Sequence, residues 1–403
     1  MALLTVADAL DRVLAGVSPL GHEEVGLRAA AGRTLAEPLA ARLINPPFDA
    51  SAMDGYAVRS ADCSAARSTL TIIGQSAAGT AFLGTVGVGQ AVRIFTGAPV
   101  PSGADAIVIQ EDTERIEDTV CIVEVPQCNQ HIRPRGQDFK AGDALLGVGK
   151  IITSRDVLLA AAAGHATLPV YRKPTVAILA TGNELVAPGV TPIEGQIIAS
   201  TSYALAAMVD AAGGTAKLLG IASDTLASLS QKIAEAHDTD ILVTTGGASV
   251  GDHDLVRPAL QAAGADLAFY KIAMRPGKPM FFGTRTYAGK MQRVVGLPGN
   301  PVSAMLVARI FLKPLIAKLL GRDDIQPTII AELTTPLPAN GPRQHYMRAT
   351  LDVSTSPPRV TPLPSQDSSM TSLLAQADAL IVVPLDAPAM PAGTIVNVLR
   401  LDD

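Results

Sequence analysis

The residues with the clearest chemical potential lie around a glycine-rich loop, Thr244–Gly251, which follows the apolar run Ile241–Val243. The run has the length and β-branching of a buried strand, and the loop holds too much glycine for a helix or strand. A basic turn follows later in the chain and carries Lys271, Arg275 and Lys278. Backbone N–H groups combined with fixed cations are what a phosphate or another oxyanion requires. The pattern therefore predicts an anion-binding site.

The same loop contains a G-x-S-x-G pattern, Gly247–Gly251, which is also typical of serine hydrolases. In that motif the helix begins at the serine, whereas here we expect the helix to begin only around Asp254. His345 is a candidate base at a distance in sequence from Ser249. We therefore favour an anion-binding loop over a nucleophile, with the hydrolase as a minor alternative. A Walker A motif and a G-x-G-x-x-G after a strand are both absent, which removes the main signals of kinases, GTPases and dinucleotide oxidoreductases.

Three acidic residues, Glu184, Asp224 and Asp254, each follow a predicted strand. In an open α/β sheet the ligand binds outside the carboxyl ends of the strands, so we expect the three carboxylates to converge on one edge. Any one of them alone is equally well explained as a helix N-cap. Together, beside a cationic turn, they suit Mg²⁺, which joins one or two carboxylates to substrate phosphates. The pattern alone leaves open which of the three would hold the metal.

An α/β domain beginning at Lys173-Pro174 must position these residues. Alternating apolar runs and helical patterns predict strands at Val176–Ala180 and near Lys217–Ile221, and a strand ending near Lys271. They also predict helices over Thr201–Ala212, Leu226–Ala236 and Val302–Leu320. Asn300 is expected to cap the last helix, Pro301 to occupy its first turn, and Pro314 to kink it.

The segments on either side of this domain have a different pattern. The N-terminal part predicts helices over Thr5–Val17, Glu23–Leu35 and Ser154–Ala163, the last with Ser154 as N-cap. Between them lie short β runs at Thr69–Ile73, Ala91–Phe95, Ala106–Ile109 and Val120–Val125, and Asp54-Gly55 is a tight-turn signal. The C-terminal part alternates apolar and polar residues at Gln344–Val353 and Thr394–Leu401, with one polar loop, Ser365–Met370.

These patterns predict an α/β multidomain protein: a central, open, mostly parallel α/β domain, an inserted β-rich domain and a small C-terminal β-barrel or sandwich. The predicted boundaries are 1–46 plus 141–173 for an N-terminal helical and linker domain, 47–140 for the inserted domain, 174–326 for the α/β domain and 327–403 for the C-terminal domain. A chain of 403 residues with 48% hydrophobic and 17% charged residues fits several globular domains.

Charge, hydropathy and cysteine content exclude several classes of protein. A formal net charge of −5 argues against non-specific nucleic-acid binding. The most apolar segment, Val157–Val170, is interrupted by glycine, histidine and proline and is too short to span a bilayer. The N-terminus lacks the basic start of a signal peptide. Three cysteines without a CxxC motif fit a reducing compartment, so we expect a cytoplasmic protein. The six histidines show no HxxxH or HxH spacing, which disfavours a histidine-rich zinc site.

Seven stretches together resemble the molybdopterin molybdenumtransferase family, known as MoeA in bacteria and as the gephyrin E-domain in animals. They are PPFDASAMDGYAVR at 46–59, RIFTGAPVPSGADAIV at 93–108, IRPRGQDFKAGD at 132–143, ATGNEL at 180–185, TTGGASVGDHD at 244–254, KIAMRPGKP at 271–279 and GLPGNPVSA at 296–304. The resemblance extends in order over nearly the whole chain, and the C-terminal part matches more loosely. It implies that the central α/β domain is of the molybdopterin-binding type.

The resemblance implies the last step of molybdenum cofactor synthesis, in which molybdate is inserted into adenylylated molybdopterin and AMP leaves, with Mg²⁺ as cofactor. It also implies a homodimer, and a transient contact with the molybdopterin adenylyltransferase. The active cleft would lie between the α/β domain of one subunit and the inserted domain of the other. Alternatives are a molybdopterin adenylyltransferase, a non-catalytic scaffold of the same fold, and a paralogue that prefers tungstate.

The site residues expected from the resemblance and the loop pattern fall into two groups. The catalytic candidates are Asp224, Asp254, Glu184, Lys271 and Arg275. Among them, Asp224 and Asp254 are the metal ligands that the resemblance implies. The substrate-binding candidates are Asp54, Thr96, Asp138, Gly246, Gly247, Ser249, Lys278, Pro298, Pro301 and Ser368. Many relatives have lysine where this chain has Arg275, so a fork-shaped guanidinium replaces a compact ammonium there.

Overall fold

A computed structural model describes residues 3–247, 255–322 and 328–401, and divides the chain into two compact units. The first unit contains Met1–Glu23, Gly32–Ala36 and Val170–Asp403, and the second contains Glu24–Ala31 and Glu37–Pro169. The four predicted domain boundaries stay predictions. Two predicted site residues, Ser249 and Asp254, lie outside the described residues.

A six-stranded sheet forms the centre of the α/β part of the first unit. In spatial order its strands are Thr215–Ala222, Thr175–Thr181, Ile241–Thr245, Lys290–Leu297, Pro279–Tyr287 and Ala265–Lys271. The first four strands are mutually parallel, and Pro279–Tyr287 runs antiparallel to both of its neighbours. This arrangement confirms the open, mostly parallel α/β sheet that the sequence predicts.

Helices cover both faces of this sheet because its central strands are apolar on both sides, as parallel strands usually are. The helices are Thr201–Ala211 and Pro301–Val307 on one face, and Leu226–Ala234 and Val256–Ala262 on the other. The N-terminal helix Val6–Leu14 packs in the same core as Thr201–Ala211. Its N-cap is Thr5, whose hydroxyl accepts the Asp8 N–H at 3.1 Å. A small parallel pair, Leu185–Val186 with Ile197–Ile198, lies in the crossover before Thr201–Ala211.

Five strands of the C-terminal part close into a barrel, which confirms the predicted small β-barrel. They pair around the barrel in the order Gln344–Asp352, Arg359–Pro362, Thr328–Leu333, Ile395–Arg400 and Ala379–Val383, and the last pairs with the first. A short strand, Met274–Arg275, joins this sheet beside Gln344–Asp352. A short helix, Thr371–Ala375, follows the polar loop.

The second unit contains the predicted β-rich region, whose core lies on both faces of a second six-stranded sheet. In spatial order its strands are Ala106–Ile109, Gly55–Val58, Gln90–Ile94, Ser68–Ser76, Thr119–Ile122 and Thr113–Ile116. Two small pairs accompany it, Ala50–Ser51 with Ile132–Arg133 and Leu39–Ala40 with Ala144–Leu146. Other regular elements of the described residues are His22–Gly26, Leu27–Ala30, Ser60–Cys63, Gln110–Asp112, Ser154–Ala162, Thr167–Tyr171 and Lys313–Leu319.

Several local predictions in the N-terminal half of the chain were wrong. Only Leu27–Ala30 of the expected helix Glu23–Leu35 is helical, and Gly32 adopts a φ of 78° that helices do not contain. The N-cap of the next helix is Thr153 rather than Ser154, because Thr153 and Asp156 form a complete capping box. Each of these differences is decided by a few local hydrogen bonds.

Two further predictions in the α/β part were incomplete. The expected helix Val302–Leu320 is interrupted by a π-helical turn, Ala308–Leu312, directly before the segment that contains Pro314. Proline has no N–H for the ladder, and a wider turn accommodates the missing bond. The sequence analysis also missed the strand Pro279–Tyr287, which forms a hairpin with Lys290–Leu297 and makes this side of the sheet antiparallel.

Candidate functional site

The carboxyl ends of the parallel strands meet at one edge of the α/β sheet. The register pairs Thr181 with Ala222, and Thr245 with Leu297. The loops that carry the predicted site residues leave directly after these four residues. The structure therefore brings the loops of Glu184, Asp224, Gly246 and Pro298 to a common edge, as the strand pattern predicts.

The glycine-rich loop approaches its neighbours so closely that side chains are excluded. Gly246 has a φ of 89°, and a Cβ placed on it would lie 2.6 Å from the carbonyl oxygen of Thr181. A Cβ on Gly299 would lie 3.5 Å from the Cα of Gly246. Gly247 also has a positive φ, of 61°. The first part of the predicted anion loop is thus packed between two neighbouring loops, where the positive φ values and the close approach at Gly246 require glycine.

These loops line a small cavity at the edge of the sheet, with both apolar and polar residues in its lining. Its lining includes the predicted residues Glu184, Gly246 and Pro301, and also three hydroxyl residues, Thr181, Thr201 and Ser202. Pro298 is buried at the end of its strand, and Pro301 occupies the first turn of its helix. Asn300 stands at the N-cap position, but its side chain makes no capping bond, contrary to expectation. The cavity collects residues from four separate loops.

Two of the three predicted carboxylates lie in adjacent loops at this edge, and the third, Asp254, lies outside the described residues. Asn183 and Asp224 bond reciprocally: the Asn183 N–H donates to the Asp224 carboxylate at 3.2 Å, and the Asp224 N–H donates to the Asn183 amide oxygen at 3.0 Å. The Glu184 carboxylate lies over Gly182, where a Cβ would come within 2.7 Å of it. Sequence reasoning missed Asn183.

The two carboxylates remain exposed, and Asp224 retains acceptor capacity beyond its bond with Asn183. Within the residues that the structure describes, no group of three or more histidine, cysteine or acidic residues could hold a metal by itself. One or two carboxylates suffice for Mg²⁺ when substrate phosphates and water complete its shell. The exposed oxygen donors of Glu184 and Asp224 fit Mg²⁺ bound together with a substrate phosphate.

The basic turn lies at the same edge. The strand Ala265–Lys271 ends beside Pro279, and the Ile272 N–H donates to the Lys278 carbonyl at 3.2 Å. Lys271, Arg275 and Lys278 are all exposed. In the described part of the chain, no ion pair joins any of these three side chains to a carboxylate. Their charge is available to an anion.

His345 lies next to this turn because Arg275 pairs with it across the two strands. It is 6% exposed. Burial, and then the positive charges of Arg275, Arg343 and Arg348, lower its pKa from 6.5 to about 4. His345 is therefore neutral at physiological pH. The structure does not test the hydrolase alternative, since Ser249 lies outside the described residues.

Within the second unit, Asp54 and Thr96 are in direct contact. The Asp54 carboxylate accepts the Thr96 N–H at 2.7 Å and the Thr96 hydroxyl at 2.8 Å. The backbone bond from Thr96, then its hydroxyl bond, lower the pKa of Asp54 below its ordinary value. Asp54-Gly55 is not the expected tight turn, because Gly55 begins a central strand whose packing against Val108 leaves no room for a Cβ. The two predicted residues form one hydrogen-bonded pair.

Asp138 also lies in the second compact unit, and it is hydrogen-bonded to Asn45. The Asn45 side-chain amide donates to the Asp138 carboxylate at 3.0 Å, and the Asp138 N–H donates to the Asn45 carbonyl at 3.0 Å. The Asp49 carboxylate accepts the Arg135 N–H at 2.7 Å. The Asp49–Arg135 bond joins the stretches at 46–59 and 132–143, and the Asn45–Asp138 bonds join the second stretch to the residue directly before the first. Asn45 and Asp49 were not singled out in the sequence.

The loop Ser365–Met370 is bound to the barrel by Arg348, which sequence reasoning also missed. Arg348 is 1% exposed, and its guanidinium donates to the carbonyl oxygens of Ser365, Asp367 and Met370 at 2.8–3.2 Å. The Asp367 carboxylate accepts from the N–H and the hydroxyl of Ser369. Ser368 is half-buried in this loop. A single arginine in an apolar-patterned strand gave no signal in the sequence.

Comparisons with known protein families match the chain in three consecutive regions. The MoeA N-terminal region (domain I and II) matches residues 4–164, the probable molybdopterin binding domain matches 177–318, and the MoeA C-terminal region (domain IV) matches 331–401. The three matches follow the order of the motifs in the sequence.

Similar curated proteins span nearly the full chain. A molybdopterin molybdenumtransferase from Nostoc sp. is 35% identical over 94% of this chain and 88% of its own length. Molybdopterin molybdenumtransferase 2 of Mycobacterium tuberculosis is 38% identical over 94% of both chains. A crystal structure of the molybdopterin biosynthesis MoeA protein from Pyrococcus horikoshii covers 100% of both chains with a TM-score of 0.86 and 30% identity. In the described part of the chain, no helix is long and apolar enough to cross a membrane.

Proposed function

This chain belongs to the MoeA family of molybdopterin molybdenumtransferases, and we propose that it inserts molybdenum from molybdate into adenylylated molybdopterin with release of AMP. The observation that supports this most strongly is the agreement of three family regions, in order, with relatives of the same name at 31–38% identity. The edge of the α/β sheet supplies the anion-binding loop and the cations that such a substrate needs. We further propose a cytoplasmic enzyme.

We propose different roles for the cationic and the acidic residues at this edge of the sheet. Lys271, Arg275 and Lys278 present positive charge without a carboxylate partner in the described chain, and a substrate rich in phosphate and molybdate oxygens would bind there. Gly246 lies at the same edge of the sheet, where its own N–H donates to the Leu297 carbonyl at 3.3 Å. The cationic contacts would orient the substrate and hold its charged groups in a fixed geometry.

We propose that Asp224 and Asp254 hold Mg²⁺ and that Glu184, in the loop adjacent to that of Asp224, is a further catalytic residue. When bound, the metal would neutralise charge on the pyrophosphate that links AMP to the pterin and so improve AMP as a leaving group. The Asn183–Asp224 bond fixes the backbone around the carboxylate. Asn183 is therefore a positioning residue in this proposal.

Asp54, Thr96 and Asp138 would contact the substrate from the second unit, and we propose that they do so in a homodimer, from the other subunit. The Asp54 carboxylate is held by Thr96 before any substrate arrives. A preorganised acceptor of this kind suits the N–H groups of a pterin.

The test is AMP release from adenylylated molybdopterin by the purified protein, with molybdate and Mg²⁺. We expect release that depends on both additions, and no consumption of ATP when unadenylylated molybdopterin is supplied. ATP consumption would indicate the adenylyltransferase alternative, and the absence of both AMP release and ATP consumption would indicate a scaffold. A competition between molybdate and tungstate in the same assay determines the metal preference.

A further inference from the structure

One guanidinium of the second unit connects the chain segments around Asp54. The Arg93 side chain donates to the Gly55 carbonyl at 3.1 Å and to the Gln110 side-chain oxygen at 2.7 Å. The Gln110 N–H in turn donates to the Asp54 carbonyl at 3.0 Å. Two successive carbonyl groups, those of Asp54 and Gly55, are therefore held by one connected pair of residues, Arg93 and Gln110.

Two aromatic rings hold this guanidinium in place. The guanidinium carbon of Arg93 lies 5.1 Å from the centre of the Tyr56 ring and 4.9 Å from the centre of the Phe95 ring. Tyr56 is buried, and Phe95 directly precedes Thr96, the donor of both bonds to the Asp54 carboxylate. A guanidinium is attracted to aromatic faces while its edge donates hydrogen bonds. The rings therefore fix the donors that face Gly55 and Gln110.

Charge pairing does not explain an arginine at this position. Both acceptors of Arg93 are uncharged, and among the described residues no ion pair joins it to a carboxylate. Its charge nevertheless acts on Asp54: the two bonds from Thr96, and then the positive charge of Arg93, lower the pKa of that carboxyl. Arg93 therefore influences Asp54 without bonding to its side chain.

The Asp54 carboxylate uses only one of its oxygens within the protein. Oδ1 accepts both bonds from Thr96, and Oδ2 accepts none from the parts of the chain that the structure describes. A carboxylate oxygen is an acceptor, so Oδ2 is available to an N–H or O–H donor. Its direction depends on the backbone at Asp54, which Arg93 and Gln110 hold.

We propose that Arg93 is a positioning residue, which acts through Gly55 and Gln110 to keep Oδ2 of Asp54 directed toward an N–H donor of the substrate. This inference rests on the proposed function and adds to it a residue that holds the acceptor in place. A neutral N–H donor belongs to the pterin and not to molybdate. The two substrates therefore respond differently when the acceptor is misplaced.

The test compares Arg93→Met and Arg93→Lys in the AMP-release assay, with Arg115→Met as the matched control. Arg115 also donates to a backbone carbonyl, that of Glu117, at 3.0 Å. Its strand, Thr113–Ile116, lies three strands away from the strand of Arg93 in the same sheet, at about 14 Å. Both methionine variants lose one positive charge and a guanidinium–carbonyl bond, and only Arg93→Met loses them beside Asp54.

We expect Arg93→Met to raise the KM for adenylylated molybdopterin about tenfold and to leave the KM for molybdate unchanged, because a misplaced acceptor weakens binding of the pterin alone. Arg93→Lys should recover only part of this loss, since an ammonium lacks the planar fork that serves two acceptors. Arg115→Met should leave both KM values unchanged. Equal effects of Arg93→Met and Arg115→Met on the KM for adenylylated molybdopterin would overturn the proposal.

The double variant Arg93→Met with Asp54→Asn shows whether the two residues act together. If Arg93 acts through Asp54, the double variant releases AMP no more slowly than the slower single variant, whereas independent residues give effects that multiply. Multiplied effects therefore contradict the proposal.

Hydrogen exchange of the Thr96 amide provides a readout without substrate, because this N–H donates to the Asp54 carboxylate. We expect faster exchange in Arg93→Met than in the wild type, and wild-type exchange in Arg115→Met. Faster exchange in a protein that releases no AMP would refute the proposed function and still support the contact between Arg93 and the Asp54 backbone. Unchanged exchange in Arg93→Met would refute the positioning role.

Discussion

The Asp54–Thr96 pair shows how a single side chain is prepared for binding. Two donors from Thr96 meet one carboxylate oxygen, at 2.7 and 2.8 Å, and the nearby Arg93 adds a positive charge. Hydrogen bonds to the ionised form stabilise it, which is why the pKa of Asp54 is lowered. Asp54 is therefore a carboxylate throughout the neutral range, and its role is that of an acceptor.

Asp54→Asn should reduce AMP release by about tenfold or more, because an amide cannot accept both Thr96 donors and also serve a ligand with full charge. Since Asp54 stays ionised, the ratio of wild-type to variant rates should be the same at pH 6 and pH 8. Thr96→Val, which loses only the hydroxyl bond, should have a smaller effect. A ratio that changes between these pH values would contradict the assignment.

The pH dependence of stability at this pair has a defined sign. The folded pKa of Asp54 lies below its ordinary value of 3.8, so the contribution is complete above that value. It is lost as the pH falls through the folded pKa. Thermal melting of Asp54→Asn and wild type should therefore differ at neutral pH and converge in strong acid, and a difference that grows in acid would be the contrary result.

Close backbone contact between neighbouring loops can require glycine at a particular position. Gly246 has a positive φ, and a Cβ placed on it would lie 2.6 Å from a neighbouring carbonyl oxygen. Gly264 has a φ of 82°, and a Cβ placed there would have no atom within 4 Å. The two glycines share one backbone requirement and differ in the available space. Alanine substitutions at the two glycines therefore distinguish the effect of backbone strain from the effect of a steric clash.

Gly264→Ala should lower the free energy of unfolding by about 1 kcal/mol, the cost of a side chain at positive φ. Gly246→Ala carries the same cost and must also move the loop after Thr181, so its AMP release should fall by about tenfold or more. Melting curves and AMP-release rates of both variants check this. Equal rates in the two variants would show that the close approach at Gly246 is unimportant.

The strand Gln344–Asp352 places His345 in the barrel among three arginines. The imidazole is buried, and its folded pKa of about 4 lies below the 6.5 of an unfolded chain. Protonation therefore favours the unfolded state. The stabilising contribution is complete above pH 6.5 and is lost as the pH falls toward 4, by roughly 3 kcal/mol at about 1.4 kcal/mol per pKa unit.

His345→Gln should remove this part of the pH dependence. Denaturant unfolding of the wild type between pH 7 and pH 4 should show a steeper decline than unfolding of the variant, while the two decline in parallel from other groups below pH 4. Parallel curves across the whole range would show that His345 is not the group responsible.

At the scale of the whole molecule, the predicted residues fall into two sets, one in each compact unit. Lys271, Arg275 and Glu184 lie in the first unit, and Asp54 and Thr96 lie in the second. The proposed homodimer would assemble each active site from the first unit of one subunit and the second unit of its partner. This proposal can be tested without a structure of the dimer.

Co-expression of Asp54→Asn and Lys271→Ala chains with different affinity tags gives mixed dimers. In a shared site, one of the two sites of each mixed dimer is free of both substitutions, so AMP release should recover to about half of the wild-type rate per dimer. Each homodimer of a single variant serves as its own control. Mixed dimers as inactive as both homodimers would place the whole site within one chain.

The sequence by itself determined the family, the fold class and the edge at which the loops meet. Apolar β-branched runs specify buried strands, glycine and proline mark their ends, and parallel strands must point their carboxyl ends the same way. The convergence of the Glu184 and Asp224 loops follows from that geometry. The roles of the individual site residues, the magnesium and the domain boundaries stay predictions.

Only the tertiary structure decided which side chains meet. The Asn183–Asp224 bonds and the Arg348 bonds to the loop Ser365–Met370 join residues that are separated in sequence, and the sequence pattern did not reveal the strand Pro279–Tyr287. Such contacts depend on strand register, and a shift of one residue would turn every side chain to the opposite face. Periodicity specifies which face of an element is buried, but the partner across that face is set by packing of the complete fold.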